Sequence, residues 1–209
     1  MRIRNYLLIC LLALISCTEN NEEIIKEVLI PLSVGNEWIY ESSKPSSSII
    51  KEQTQTIVKD TSVLIDGESY KAYILIAYEN ITDENKFNIY WGHDSEGNLI
   101  QYGGKYLGSS VIDKSIQFKK DVSAGDSWNY NHIIYSGDEG LVARSSNIEC
   151  INTDTLITTK AGNFNCVHLK EGSMFEYFVD SEIGIIKRIL LNDGEISSEI
   201  SLKEYSINE

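Results

Sequence analysis

Three histidines, His93, His132 and His168, are the first candidates for chemistry, since imidazole carries protons and binds metals near neutral pH. None has a second His or Cys at the spacing a zinc site needs, so each reads as a surface or hydrogen-bonded residue and no metal site is expected. The stretch "GGKYLGSS" (103–110) is rich in glycine but lacks the phosphate-loop pattern. No helical segment follows it to offer an N-terminus to a phosphate, and it reads as a mobile loop. There is no nucleophile-elbow serine, and the many acidic residues form no pair that the sequence brings within reaction distance. No catalytic residue and no cofactor are expected, and the chain does not read as an enzyme.

Aromatic residues offer the other chemistry. The run "NIYWGHDSEGNLIQYGGKY" (88–106) sets Tyr90, Trp91, Tyr102 and Tyr106 around a hairpin tip with polar neighbours. Rings at an exposed tip stack on sugars or contact a partner protein, which makes Tyr90, Trp91 and Tyr102 the candidate ligand-binding residues. Strand alternation qualifies this: Phe87, Ile89 and Trp91 share one face, the core side, and Tyr90 points to the other.

The remaining reactive group is a cysteine. "MRIRNYLLICLLALISC" has Arg2 and Arg4, then an apolar run too short to span a bilayer, then small Ser16 and Cys17. That order describes a secretory signal peptide over residues 1–16. "LISC" looks like the lipobox of bacterial lipoproteins, so Cys17 is the expected lipidation site, carrying acyl chains that hold the protein to a membrane. Thr18 is not the Asp that retains lipoproteins at the inner membrane. The acidic "TENNEE" that follows Cys17 resembles a surface-export tether, so the expected location is the outer membrane, with surface exposure the bolder reading.

Charge narrows the partners. The chain carries −13 at pH 7. Losing residues 1–16 lowers Lys plus Arg from 18 to 16 against 31 acids, leaving about −15. Such a surface repels phosphates and acidic head groups, so nucleic acid is excluded as a partner and the membrane contact is left to the anchor. With Cys10 in the signal and Cys17 acylated, only Cys150 and Cys166 remain to pair in an oxidising compartment. If "SNIECI", "TLITTK" and "NFNCVHL" are three successive strands, the two thiols lie two strands apart. That is about 10 Å, beyond the ~7 Å reach of a disulfide, and a bridge then needs another strand order. "DTL" (154–156) resembles a short O-glycosylation site.

These residues must be positioned by strands. Residues 17–30 read as an acidic tether with at most one weak helical turn at "EEIIKEVL", and Pro31 opens a single β domain that runs to residue 209. "VLIDGESY", "HDSEGNLI" and "LLNDGEIS" read as hairpins, "YKAYILIAY" and "IIKRILL" as buried or half-buried strands, and "KPSSS" as a surface loop. The expected fold is all-β: one antiparallel meander forming a half-open barrel or curved sheet. It is also written twice. "SVGNEWIY" (33–40) recurs as "SAGDSWNY" (123–130), and two later blocks follow in the same order, giving quasi-repeats over about 31–120 and 121–209. Gly35 and Gly125 supply a turn, after which Trp38 with Tyr40, and Trp128 with Tyr130, share a strand face and read as core anchors.

"PLSVGNEWIY", "TTKAGNFNCVHL" and "FVDSEIGIIKR" together resemble a group of Gram-negative outer-membrane lipoproteins of unassigned activity, with a Pro-Leu-x-x-Gly-x-x-Trp-x-Tyr opening motif. The resemblance spans most of residues 31–190. It implies a domain similar to the half-open barrels of lipoprotein carriers, and it brings no catalytic residues. The chain departs from the pattern at residues 181–184, where one glycine stands in place of two.

Two functions remain: a lipid-anchored binding module for a lipid, glycan or protein, or a structural or assembly component of the outer membrane with no small ligand. For the first, strands such as "YILIAY" imply an apolar cavity, and the acidic surface implies neutral or cationic guests.

Overall fold

The computed structural model describes residues 28–78 and 87–208. The signal segment, Cys17, the residues of the tether before Val28 and nearly all of the weak helical turn lie outside them.

Twelve antiparallel strands form one sheet. The first half supplies β1 (Glu37–Lys44), β2 (Ser47–Ile65), β3 (Glu68–Tyr78), β4 (Phe87–His93), β5 (Leu99–Tyr106) and β6 (Ser109–Phe118). The second supplies β7 (Ser127–Ser136), β8 (Gly140–Thr159), β9 (Gly162–Glu171), β10 (Phe175–Asp180), β11 (Gly184–Asn192) and β12 (Glu195–Ser206). Each half is a six-stranded meander. Its first strand is followed by a very long one, 19 residues for β2 and 20 for β8. The halves join where β1 pairs with β12. One 3-10 turn, Gly137–Glu139, is the sole helical element among the described residues.

The sheet curls until β6 and β7, its two edges, face each other without forming a ladder. This nearly closed barrel is fastened along the seam by side chains. The amides of Asn131 and Leu141 donate to Ser115 Oγ and Ser109 Oγ at 2.8 Å each, and Trp128 Nε1 donates to the Ile116 carbonyl at 3.2 Å. Two exposed edges are thereby covered, which limits unwanted strand pairing.

The repeated phrase is a repeated hydrogen-bond set. Gly35 N–H donates to Ile57 O at 2.7 Å and Asn36 O accepts from Ile57 N at 2.9 Å. Gly125 and Asp126 make the same pair of bonds to Cys150, both at 2.8 Å. The amides of Asn36 and Asp126 each close a turn onto the carbonyl of Ser33 or Ser123. Gly35 and Gly125 sit at φ +94° and +91°, a conformation that a β-carbon disfavours. Trp38, Tyr40, Trp128 and Tyr130 then point into the main core.

Other sequence readings are corrected by the packing. The folded chain starts before Pro31: Leu29 and Ile30 are buried, their amides donating to Gly97 O at 3.1 Å and Ser181 O at 2.9 Å. "KPSSS" is a tight β1–β2 hairpin rather than a loop, with Pro45 and Ser46 alone in the turn. "SNIECI" and "TLITTK" are one strand, β8, so Cys150 and Cys166 lie on neighbouring strands. Cys166 faces Thr155 and Cys150 faces Leu169, and both thiols are free. The single-glycine turn at 181–184 is built by Asp180, whose Oδ1 accepts from the amides of Glu182 at 2.9 Å and Ile183 at 3.0 Å.

Candidate functional site

The barrel is plugged at one end and hollow at the other. The plug is the segment around Leu29 and Ile30, which runs between the β4–β5 and β10–β11 turns. His93 fastens it, its Nε2 lying 2.9 Å from the Leu29 carbonyl and 3.0 Å from that of Ile30. Burial pushes the His93 imidazole down from its ordinary value, and the two carbonyls oppose this only in part.

At the opposite end lies a cavity of about 900 Å³, within the usual size of a small-molecule site. Phe87 opens β4, Phe175 opens β10, and Tyr106 and Tyr135 lie at the far ends of β5 and β7, so antiparallel alternation brings these four rings to its mouth. Tyr106 meets Phe87 and Tyr135 edge-on, with centroids 5.8 Å and 5.1 Å apart. Deeper in, the lining turns polar: Gln55, Gln101, Gln117, Tyr130, His132 and Arg188. Both halves of the chain contribute.

This floor is a hydrogen-bonded network. The Tyr130 hydroxyl, held neutral because burial raises it well above its ordinary value, donates to Gln101 Oε1. Behind His132 stands Glu171, 0% exposed. Its carboxylate accepts from Ser146 Oγ at 2.8 Å and Tyr177 Oη at 2.7 Å, and lies 3.3 Å from His132 Nδ1. Burial alone would raise the Glu171 carboxyl. His132, Tyr177 and Ser146 outweigh it and leave the group below its ordinary value, hence ionised. Glu171 therefore stands as an ionised neighbour of His132, its oxygens engaged by Ser146 and Tyr177.

Arg188 is the unmatched member. Its guanidinium stacks over Phe175, 5.7 Å from the ring centroid, and forms no ion pair or hydrogen bond among the described residues. Among the described residues, no Asp or Glu lines the cavity. The Oε1 atoms of Gln53 and Gln117, both in the lining, are buried without a hydrogen-bond partner.

This architecture has a relative among solved structures. A Bacteroides fragilis protein, described as exported and as having a YmcC-like fold, superposes with a TM-score of 0.50 at 12% identity, over 87% of this chain and 100% of that one. The likeness is one of fold. A Parabacteroides distasonis protein described as a lipoprotein matches with a TM-score of 0.47 at 11% identity, over 85% of this chain and 97% of that one. No family model and no curated protein matches the sequence.

The residues singled out from sequence lie elsewhere. Trp91 is in the main core at 4% exposure, on the face shared with Phe87 and Ile89 as alternation required. Tyr102, at 1%, belongs to a second cluster with Val63, Ala72 and Ile100, which Tyr90 flanks on the opposite sheet face from Trp91. Tyr70 stacks on Tyr102 with centroids 5.4 Å apart. The β2–β3 hairpin is long enough to lay Val63 and Tyr70 over this patch, so these rings are not an exposed tip and none of the three lines the cavity. Their neighbour Tyr106 does. The expected apolar cavity is met in part: Ala77 and Tyr78 of "YILIAY" line the space, but Leu75 is consumed by the core and four glutamines share the lining. The signal was present in "KEQTQTI", where Gln53 and Gln55 alternate in phase with buried Ile57 and so point inward. "DTL" sits where the β8 register slips between Asn152 and Thr155.

Proposed function

We propose that this is a cell-envelope protein anchored to the outer membrane through acylated Cys17, whose barrel is a non-catalytic binding module for a small guest. The cavity carries this reading. It is of ligand size, it draws on both halves of the chain, and it combines an aromatic mouth with a polar floor whose groups are incompletely paired. A protein serving only as an envelope scaffold gains nothing from leaving this volume unfilled, since interiors otherwise pack densely. The plugged end receives the N-terminal chain, which leaves the mouth free to face away from the membrane.

The test uses the full chain in detergent and an anionic fluorescent probe, anilinonaphthalene sulfonate. Saturable binding by the folded protein, abolished by a cavity-filling Ala77→Trp change that preserves the melting transition, is the expected result. A folded protein that leaves the probe in solution, or an Ala77→Trp variant that binds it unchanged, contradicts the reading and favours the structural alternative.

A further inference from the structure

We infer that the guest is a small acidic saccharide, a hydroxyl-rich anion. The inference rests on the binding-module reading and deepens it.

Three features of the cavity each demand something different. Arg188 is a permanent cation, half-buried in the cavity lining, and among the described residues no carboxylate pairs with it or shares that lining. Its planar fork matches a carboxylate with two parallel hydrogen bonds. Gln117, 8% exposed, and Gln53 hold carbonyl oxygens with no donor. A buried acceptor left unpaired is costly, so the guest must bring donors to that depth. The mouth offers the faces and edges of Phe87, Tyr106, Tyr135 and Phe175.

Each simpler guest fails one of these demands. A fatty acid supplies the anion, but its chain offers the glutamines nothing. Inorganic phosphate fills little of about 900 Å³ and leaves the rings unused. A neutral sugar supplies hydroxyls and ring faces but no charge for Arg188. A saccharide with a carboxylate answers all three: carboxylate to Arg188, hydroxyls to the glutamine oxygens, ring C–H faces to the aromatic mouth. The floor, not the acidic outer surface, then sets the charge preference, reversing the expectation of neutral or cationic guests. An acidic exterior slows the approach of such a guest without altering what the floor selects.

The experiment is calorimetric titration of the full chain in detergent with digalacturonate, lactose, palmitate and inorganic phosphate, repeated on Arg188→Gln, Arg188→Lys and Gln117→Leu. Digalacturonate should bind one-to-one and more tightly than lactose by about tenfold or more, the range of a hydrogen bond to a charged group. Arg188→Gln should erase that margin, Arg188→Lys should retain part of it, and Gln117→Leu should weaken both sugars. Should Arg188→Gln fail to fold, Arg188→Lys carries the test, since loss of the fork alone must cost digalacturonate more than lactose. Equal affinity for the two sugars, preference for palmitate or phosphate, or indifference to position 188 in folded variants overturns the inference while leaving a binding module. No heat from any of the four overturns both.

Discussion

The Asn131 amide donates to Ser115 Oγ at 2.8 Å across the one boundary of the sheet that has no ladder. Strands β6 and β7 meet there through side chains where every other neighbouring pair meets through backbone, and the bond from Leu141, at the start of β8, to Ser109 repeats the hydroxyl device. Removing either hydroxyl leaves a partly buried N–H without its acceptor, at a cost of about 1–3 kcal/mol. Ser115→Ala and Ser109→Ala should therefore speed hydrogen exchange at Asn131 and Leu141 respectively, and leave the Ile57 amide, held by Asn36 O, unchanged. Unaltered exchange at both seam amides would mean that the hydroxyls do not fasten it.

Trp38 and Trp128 begin the two halves in the same way but are not equally held. Trp38 is 2% exposed and bonds the Ile183 carbonyl at 2.7 Å, whereas Trp128 is 8% exposed and bonds across the seam at 3.2 Å. Each change to Ala should cost about 3–5 kcal/mol in denaturant unfolding, with Trp38 the larger. Two stable variants would remove these rings from the core.

The fold was more legible than the site, and for a physical reason. Turn chemistry and strand period are local, so the Asp-Gly pairs at 66–67 and 193–194, and the doubled phrase at Trp38 and Trp128, announced hairpins and a two-part meander directly. Closure is not local: the near-sealing of β6 against β7 depends on curl accumulated over twelve strands. The cavity was hidden for the same reason. Gln55, Gln101, Gln117 and Arg188 come from four separate strands, and each looks like an ordinary polar strand residue until the barrel brings them together. Trp91 and Tyr102 misled because rings flanking a turn look exposed when what covers them, the main core for Trp91 and the β2–β3 hairpin for Tyr102, is distant in sequence.

His93 gives the plug a pH dependence. Its folded pKa lies below the ordinary 6.5, so between the two values the unfolded chain binds more protons and stability falls as pH drops through 6.5. Glu171 acts in a lower window: its folded pKa is below 4.5, and its contribution is present above 4.5 and lost as pH falls through the lowered value. A Tm series against pH should show both declines, and His93→Gln should flatten the upper one alone. A His93→Gln series parallel to that of the native protein from pH 7 to 5 would contradict the assignment.

The cysteines should separate cleanly. Burial pushes Cys166 up to about 12 and raises Cys150, so neither forms thiolate near neutrality. Both should resist alkylation in the folded protein and react on unfolding. Cys17→Ala should move the protein out of the detergent phase or block its processing, and Cys166→Ala should do neither. Unchanged detergent partitioning of the Cys17 variant would refute the anchor.

The central claim is that the hollow end of the barrel is where a guest sits, and a crystal structure of the protein grown with digalacturonate tests it most directly. The account predicts density inside the aromatic mouth, with a carboxylate against Arg188 and a hydroxyl donating to Gln117 Oε1. A cavity filled by the protein's own side chains, or a sugar bound only on the outer face near Tyr90 and Tyr102, would contradict it.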